Sequence, residues 1–202
     1  MAAIGRGGFL AVTLAILVCA DVSAQSARSG WWARVAIGAA SGSQLCDRDA
    51  ASWSCSSRGS GVLGRFDLAV GRAVTPGLSL GLELSAEQAR ITLNPYNRSS
   101  LTIASAALVA TFFPLPRAPV FLHVALGASG YRLWELNNDH VFIERGPGWN
   151  AGLGGGAEFR LAGGLYFGPF ARFDYRELGP ANVFFHRLQR RVLSLGAAFT
   201  IR

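Results

Sequence analysis

From Leu78 to Ser85 every second residue is a leucine: Leu78, Leu80, Leu82 and Leu84 alternate with Ser79, Gly81, Glu83 and Ser85. In an extended strand, successive side chains point to opposite faces, so the four leucines share one face. A helix would wind them around its axis instead. The same period of two recurs along the chain. Val120, Leu122, Val124 and Leu126 stand against His123, Ala125, Gly127 and Ser129. Trp149, Ala151, Leu153, Ala157 and Phe159 stand against Asn150, Gly152, Gly154, Gly156, Glu158 and Arg160. Leu165, Phe167, Phe173 and Tyr175 stand against Arg172, Asp174 and Arg176. Eight strands are expected, over residues 31–41, 61–73, 78–88, 101–113, 120–132, 149–161, 165–176 and 191–201. Each is close to the ~9–11 residues that a tilted strand needs to cross a membrane. The inward face of the fourth is open, because both its faces are apolar.

Half of the 202 residues are hydrophobic and 15% are charged. Beyond the N-terminus the longest apolar run is Ile103 to Phe113, too short for a membrane-spanning helix. An apolar chain without such a helix builds either a soluble core or a barrel. Residues 1–24 read as a signal peptide: Arg6 is the positive n-region, Phe9 to Ala20 the apolar h-region, and Val22-Ser23-Ala24 the small-residue cleavage site. The mature domain is then 25–202. Cys46 and Cys55 flank a polar segment of an exported chain, so a disulfide is expected between them.

The net charge of +7 comes from arginine alone. The arginines are scattered singly, apart from Arg190-Arg191. A nucleic-acid surface would need a basic stripe, so no nucleic-acid partner is expected.

The expected connections alternate in length. Long ones fall at 42–60, 89–100, 133–148 and 177–190. Short ones fall at Thr75-Pro76-Gly77, at 114–119 and at Ala162-Gly163-Gly164. This alternation marks an up-and-down outer-membrane barrel with short periplasmic turns and long outer loops. Small residues on the polar face suit the cramped interior of an eight-stranded barrel. Parity places Arg34, Arg65, Arg160, Arg172 and Arg176 inside with Asp67, Glu83, Glu87, Glu158 and Asp174, and His123 in addition. Five cations then meet five anions. Buried charges must be paired, whereas a solvated face has no need to balance. Arg65 and Glu87 are equidistant from the turn near Pro76 and are expected to be interior neighbours, with Glu87 serving Arg65 as a partner. Trp134, Trp149 and Tyr175 fall on the outward face near the outer rim, Trp31 and Phe199 near the inner rim, as in the aromatic girdles of membrane barrels.

The mature chain resembles the small eight-stranded outer-membrane barrels of the OmpA/OmpX type. The resemblance rests on the loop alternation, on the interior charges Arg65, Glu83, Glu87 and Arg172, and on the last strand, Leu193, Leu195, Ala197, Phe199 and Ile201. It departs at the end, Ile201-Arg202, where such barrels commonly carry an aromatic residue. The resemblance implies an all-β, eight-stranded antiparallel transmembrane barrel in the outer membrane of a Gram-negative envelope. It also implies contact with outer-membrane lipid and lipopolysaccharide, insertion by the barrel-assembly machinery, and a monomer.

No catalytic, cofactor-binding or metal-binding residue is expected. Gly152-x-Gly154-Gly155-Gly156 lacks the following helix that a dinucleotide loop requires. His123 faces the lumen, and His140 and His186 lie in loops with few serines, so no Ser/His pair is evident. A non-enzymatic structural or surface-interaction barrel, its lumen plugged by paired charges, is the leading expectation. A narrow pore or transporter, and a lipid A-modifying enzyme, are the alternatives.

Overall fold

The computed structural model describes residues 30–47, 63–94, 97–115, 118–137, 140–179 and 187–202. They form β1 (Trp31–Asp47), β2 (Leu63–Thr75), β3 (Leu78–Asn94), β4 (Asn97–Phe112), β5 (Val120–Asn137), β6 (His140–Ala157), β7 (Phe159–Ala162), β8 (Leu165–Leu178) and β9 (Arg187–Ile201). Every pairing is antiparallel between neighbours, and β1 pairs with both β2 and β9, which closes the sheet. The segments β6 and β7 are one barrel strand, since both pair with β8 in a single register, Gly156↔Phe170 and Phe159↔Phe167. Its interruption lies opposite Pro169, which has no N–H to give the ladder. The result is a closed, eight-stranded, up-and-down barrel.

Alternation decides which face each residue takes. On β3, Leu80, Leu82 and Leu84 are exposed, while Ser79, Glu83, Ser85 and Glu87 are buried. The fourth strand, open in the sequence, turns its odd residues inward: Leu101, Ile103, Ser105, Ala107, Val109, Thr111 and Phe113 are buried, and Leu108 is 70% exposed. Trp32 also points inward. Its register partners Gly71 and, one strand on, Gly81 leave the room its indole needs: a Cβ at Gly71 would lie 2.6 Å from the Trp32 ring.

At one end, β2–β3 and β7–β8 turn tightly. Gly163 and Gly164, both at positive φ (54° and 84°), make the two-residue turn after Ala162, a geometry that suits glycine and the twist of the flanking strands. At the other end the structure corrects the expected loops. The stretches 89–100 and 133–148 are mostly strand: β3 and β4 stay paired to Asn94↔Asn97, and β5 and β6 to Asn137↔His140. The ladder needs backbone groups only, so it continues after the apolar alternation stops. The β1–β9 ladder likewise runs to Asp47↔Arg187. The signal-peptide segment 1–24 and Cys55 lie outside the described residues, as does the side chain of Cys46.

Candidate functional site

The barrel interior collects charged or titratable side chains from several strands into one column. Inward parity at every second position brings Arg34 from β1, Arg65 and Asp67 from β2, Glu83 and Glu87 from β3, His123 from β5 and Arg172, Asp174 and Arg176 from β8 into the lumen, all buried. The column has three levels.

The middle level is centred on Glu83. Arg34 Nη2 lies 3.6 Å from one carboxylate oxygen, and Arg172 Nη1 donates to the other. His123 Nε2 lies 3.3 Å from Glu83 Oε2, and its Nδ1 is 3.1 Å from Arg34 Nη2 and 3.2 Å from Thr111 Oγ1. Arginine is a donor only, so Nδ1 accepts from Arg34; Nε2 lies between Glu83 Oε2 at 3.3 Å and Arg172 Nη1 at 3.4 Å, and the closer carboxylate favours a proton on Nε2. Arg172 also reaches Asp174 at 2.8 Å, and Asp174 in turn accepts from Arg65, whose Nε lies 2.9 Å from Asp67. Gly152 leaves Arg172 and Asp174 their present place, since a Cβ there would lie 2.7 Å from the Arg172 guanidinium and the Asp174 carboxylate and would push them aside. A cavity of about 20 Å³ lies beside Arg34, Glu83, His123 and Arg172, room for about one water.

Toward the hairpin end, Glu87 accepts from Arg176 Nη1 at 2.6 Å and from Arg190 Nε at 3.1 Å. Toward the short-turn end, Glu158 accepts from Thr200 Oγ1 at 3.0 Å and from Arg202 at 2.6 Å. The Arg202 guanidinium lies over the rings of Phe113 and Tyr166, 5.1 and 5.0 Å from their centroids. A neutral patch, the Ser105–Ser129 hydroxyl pair at 2.7 Å with Asn150 beside it, fills the wall between β4 and β6.

Two expectations are corrected. Arg160 is exposed, not interior. It sits at the short-turn rim, where the register shifts between Arg160 and Ala162, and Arg202 supplies the guanidinium that Glu158 uses. Arg65 and Glu87 are register partners, but they do not serve each other. Arg65 bonds to Asp67 and Asp174, and Glu87 bonds to Arg176 and Arg190. Arg190 and Arg202 were missed because they lie one residue outside the expected last strand. Parity carried one step further at each end finds both. Trp32 was missed too, although its inward parity follows from that of Trp31.

The outward face carries Trp31 (73% exposed), Trp134, Trp149 and Phe199, with Tyr175 half-buried. Trp149 packs on Tyr175 at 5.4 Å toward the hairpin end, and Phe199 packs on Phe167 at 4.9 Å toward the short-turn end. Between them the outward rows are aliphatic, for example Val70, Leu82, Leu108, Leu126 and Ala151 in consecutive register.

No protein-family model and no curated protein matches the sequence. Solved structures match it in shape. Neisserial surface protein A superposes with a TM-score of 0.54 at 15% identity, over 86% of this chain and 97% of that one. Ail, the attachment invasion locus protein of Yersinia pestis, solved with the heparin analogue sucrose octasulfate, gives 0.56 at 13%, over 85% and 99%. The outer membrane protein AlkL in lipid bilayers gives 0.53 at 17%, over 89% and 93%. The fold is that of the small eight-stranded outer-membrane barrels.

Proposed function

We propose that this protein is an integral barrel of the outer membrane with a closed lumen, serving a structural or surface-interaction role rather than conduction or catalysis. One observation carries the reading: Glu83 draws together Arg34, His123 and Arg172 from three other strands, so that ionic and hydrogen-bonded contacts bridge the lumen at mid-height. The cavity beside them has room for about one water. Moving an ion through would require breaking buried pairs whose separation costs several kcal/mol each.

The membrane location is supported by the outward face. Exposed leucines, valines and phenylalanines cover consecutive strands as a continuous belt, whereas a soluble monomer rarely exposes a contiguous apolar patch larger than about a few hundred Å². Lipid is the environment in which such a face is stable, and aromatic pairs stand at both of its edges. Export through the signal peptide 1–24, insertion by the barrel-assembly machinery, a monomeric state, and contact with lipopolysaccharide complete the reading.

Planar-bilayer recording on refolded protein tests the closed lumen: no steady current is expected, and a stable conductance would establish a pore. Membrane fractionation with heat-modifiable gel mobility tests the location. Lipid A from cells with and without the gene should give the same mass spectrum; a difference would favour the enzyme. Thiol labelling of unfolded, unreduced mature protein should find Cys46 and Cys55 blocked, as a disulfide requires.

A further inference from the structure

Inside the barrel every buried arginine of the middle level meets a carboxylate. Outside it, two arginines face each other with no carboxylate paired to either among the described residues. Arg132 on β5 and Arg145 on β6 are direct register partners. Both are exposed, and both share the outward parity of Leu126 and Leu153. No ion pair joins either to a carboxylate among the described residues. Like charges directly opposite in an antiparallel pair are destabilising, with Cβ atoms only ~4.5–5.5 Å apart. An anion seated between them removes that repulsion, and two guanidinium forks at this spacing suit one phosphate.

The position of the pair selects the source of that phosphate. On β5 the outward residues run Leu122, Val124, Leu126, Ala128, Gly130, Arg132. Ten steps of about 3.3 Å, tilted by about 40°, put Arg132 some 25 Å above Leu122 along the barrel axis, which is about the height of an outer-membrane apolar band. The row just below is short-chained, Ala86, Ala104, Gly130 and Pro147 in consecutive register. The row of the pair itself is polar, Gln88, Thr102, Arg132 and Arg145. Exposed Trp134 and Trp149 stand on either side of it along the strands. The pair therefore lies where acyl chains end and headgroups begin.

We propose that Arg132 and Arg145 together hold a phosphate of a phosphorylated lipid headgroup at the hairpin-side edge of the apolar belt. The inference rests on the membrane-barrel reading above and names the residue pair and the headgroup phosphate through which its lipid contact would run. Arg72 is the internal control. It is exposed on the same outward face near the short-turn end, but its register partners are Trp31 and Leu80, so it stands alone.

The test uses full-length mature protein folded in detergent micelles, with folding checked by heat-modifiable mobility. It is titrated with bis-phosphorylated lipid A, with lipid A stripped of both phosphates, and with inorganic phosphate, reading tryptophan fluorescence and co-purification. Wild type should bind the phosphorylated lipid at least tenfold more tightly than the stripped one. R132Q/R145Q should erase that preference, each single variant should reduce it, and R72Q should keep it. Should the double variant fail to fold, the single variants carry the test alone. A preference that survives loss of the pair, or none in folded wild type, overturns the proposal while leaving the barrel reading intact. Inorganic phosphate binding as tightly as the lipid would also overturn it, by giving the site to a free ion. A protein that does not fold in micelles or bilayers counts instead against the membrane-barrel reading itself.

Discussion

The two faces of the same strands obey opposite rules. On β3, Leu82 looks outward and Glu83, its neighbour, looks into the lumen. The outward residue needs only to be apolar, because a fluid solvent surrounds it and adapts to its shape. The inward residue needs particular partners, because its surroundings are fixed side chains from strands far away in sequence. Composition specifies the outer face, and pairing specifies the inner one.

The strongest way to break this comparison is to remove a partner inside. Glu83→Ala should cost about 3–5 kcal/mol, since it removes the carboxylate partner of buried Arg34 and leaves Arg172 with Asp174 alone. Denaturant unfolding from lipid vesicles measures it, and a cost near zero would mean that lumen water does the work assigned to Glu83. The second test changes polarity outside. Leu108→Arg, near the middle of the belt, should cost about 2–4 kcal/mol, while Gln88→Arg in the polar row should cost about 0–1 kcal/mol. Equal costs at the two depths would remove the membrane from the explanation. A third substitution probes shape. Gly71→Ala puts a methyl against the Trp32 ring and against the backbone of Leu80 and Gly81, and should cost about 1–3 kcal/mol in the same assay; combining it with Trp32→Leu should relieve only the ring's share. The smallest effect sharpens the pairing itself. In double-mutant cycles Glu87 should couple to Arg176 by about 0.5–3 kcal/mol. Its coupling to Arg65, opposite it in register, should fall within about 0.5 kcal/mol of zero.

Leu78 to Ser85 shows why so much of the barrel was legible in sequence. With a period of two, one apolar residue fixes the face of all its strand neighbours, and a slip of one would turn every leucine inward. Short turns were legible for a related reason: Gly163-Gly164 is among the few pairs that accept two positive φ values. The hairpin extensions were not legible. Outside the lipid, either face of a strand can be polar, so residues such as Glu144-Arg145-Gly146-Pro147 read as loop although the ladder runs through them. Arg160 failed for a local reason, the register shift beside the Gly163-Gly164 turn.

The sequence by itself determined the strand class, the inward face of every strand but the fourth, and the gathering on one side of the arginines and carboxylates that parity assigns inward, Arg160 being the exception. Those follow from backbone geometry and from the solvent on each side, and both act over a few residues. Only the closed barrel decided who meets whom. Arg172 finds Glu83 and Arg176 finds Glu87 across 89 residues, Arg190 finds Glu87 across 103, and Arg65 turns from its register neighbour Glu87 to Asp174 across 109. Long arginine side chains reach across the lumen, so the nearest residue in register need not be the nearest charge. That choice depends on the stagger at which the sheet closes on itself, and no single strand carries that quantity.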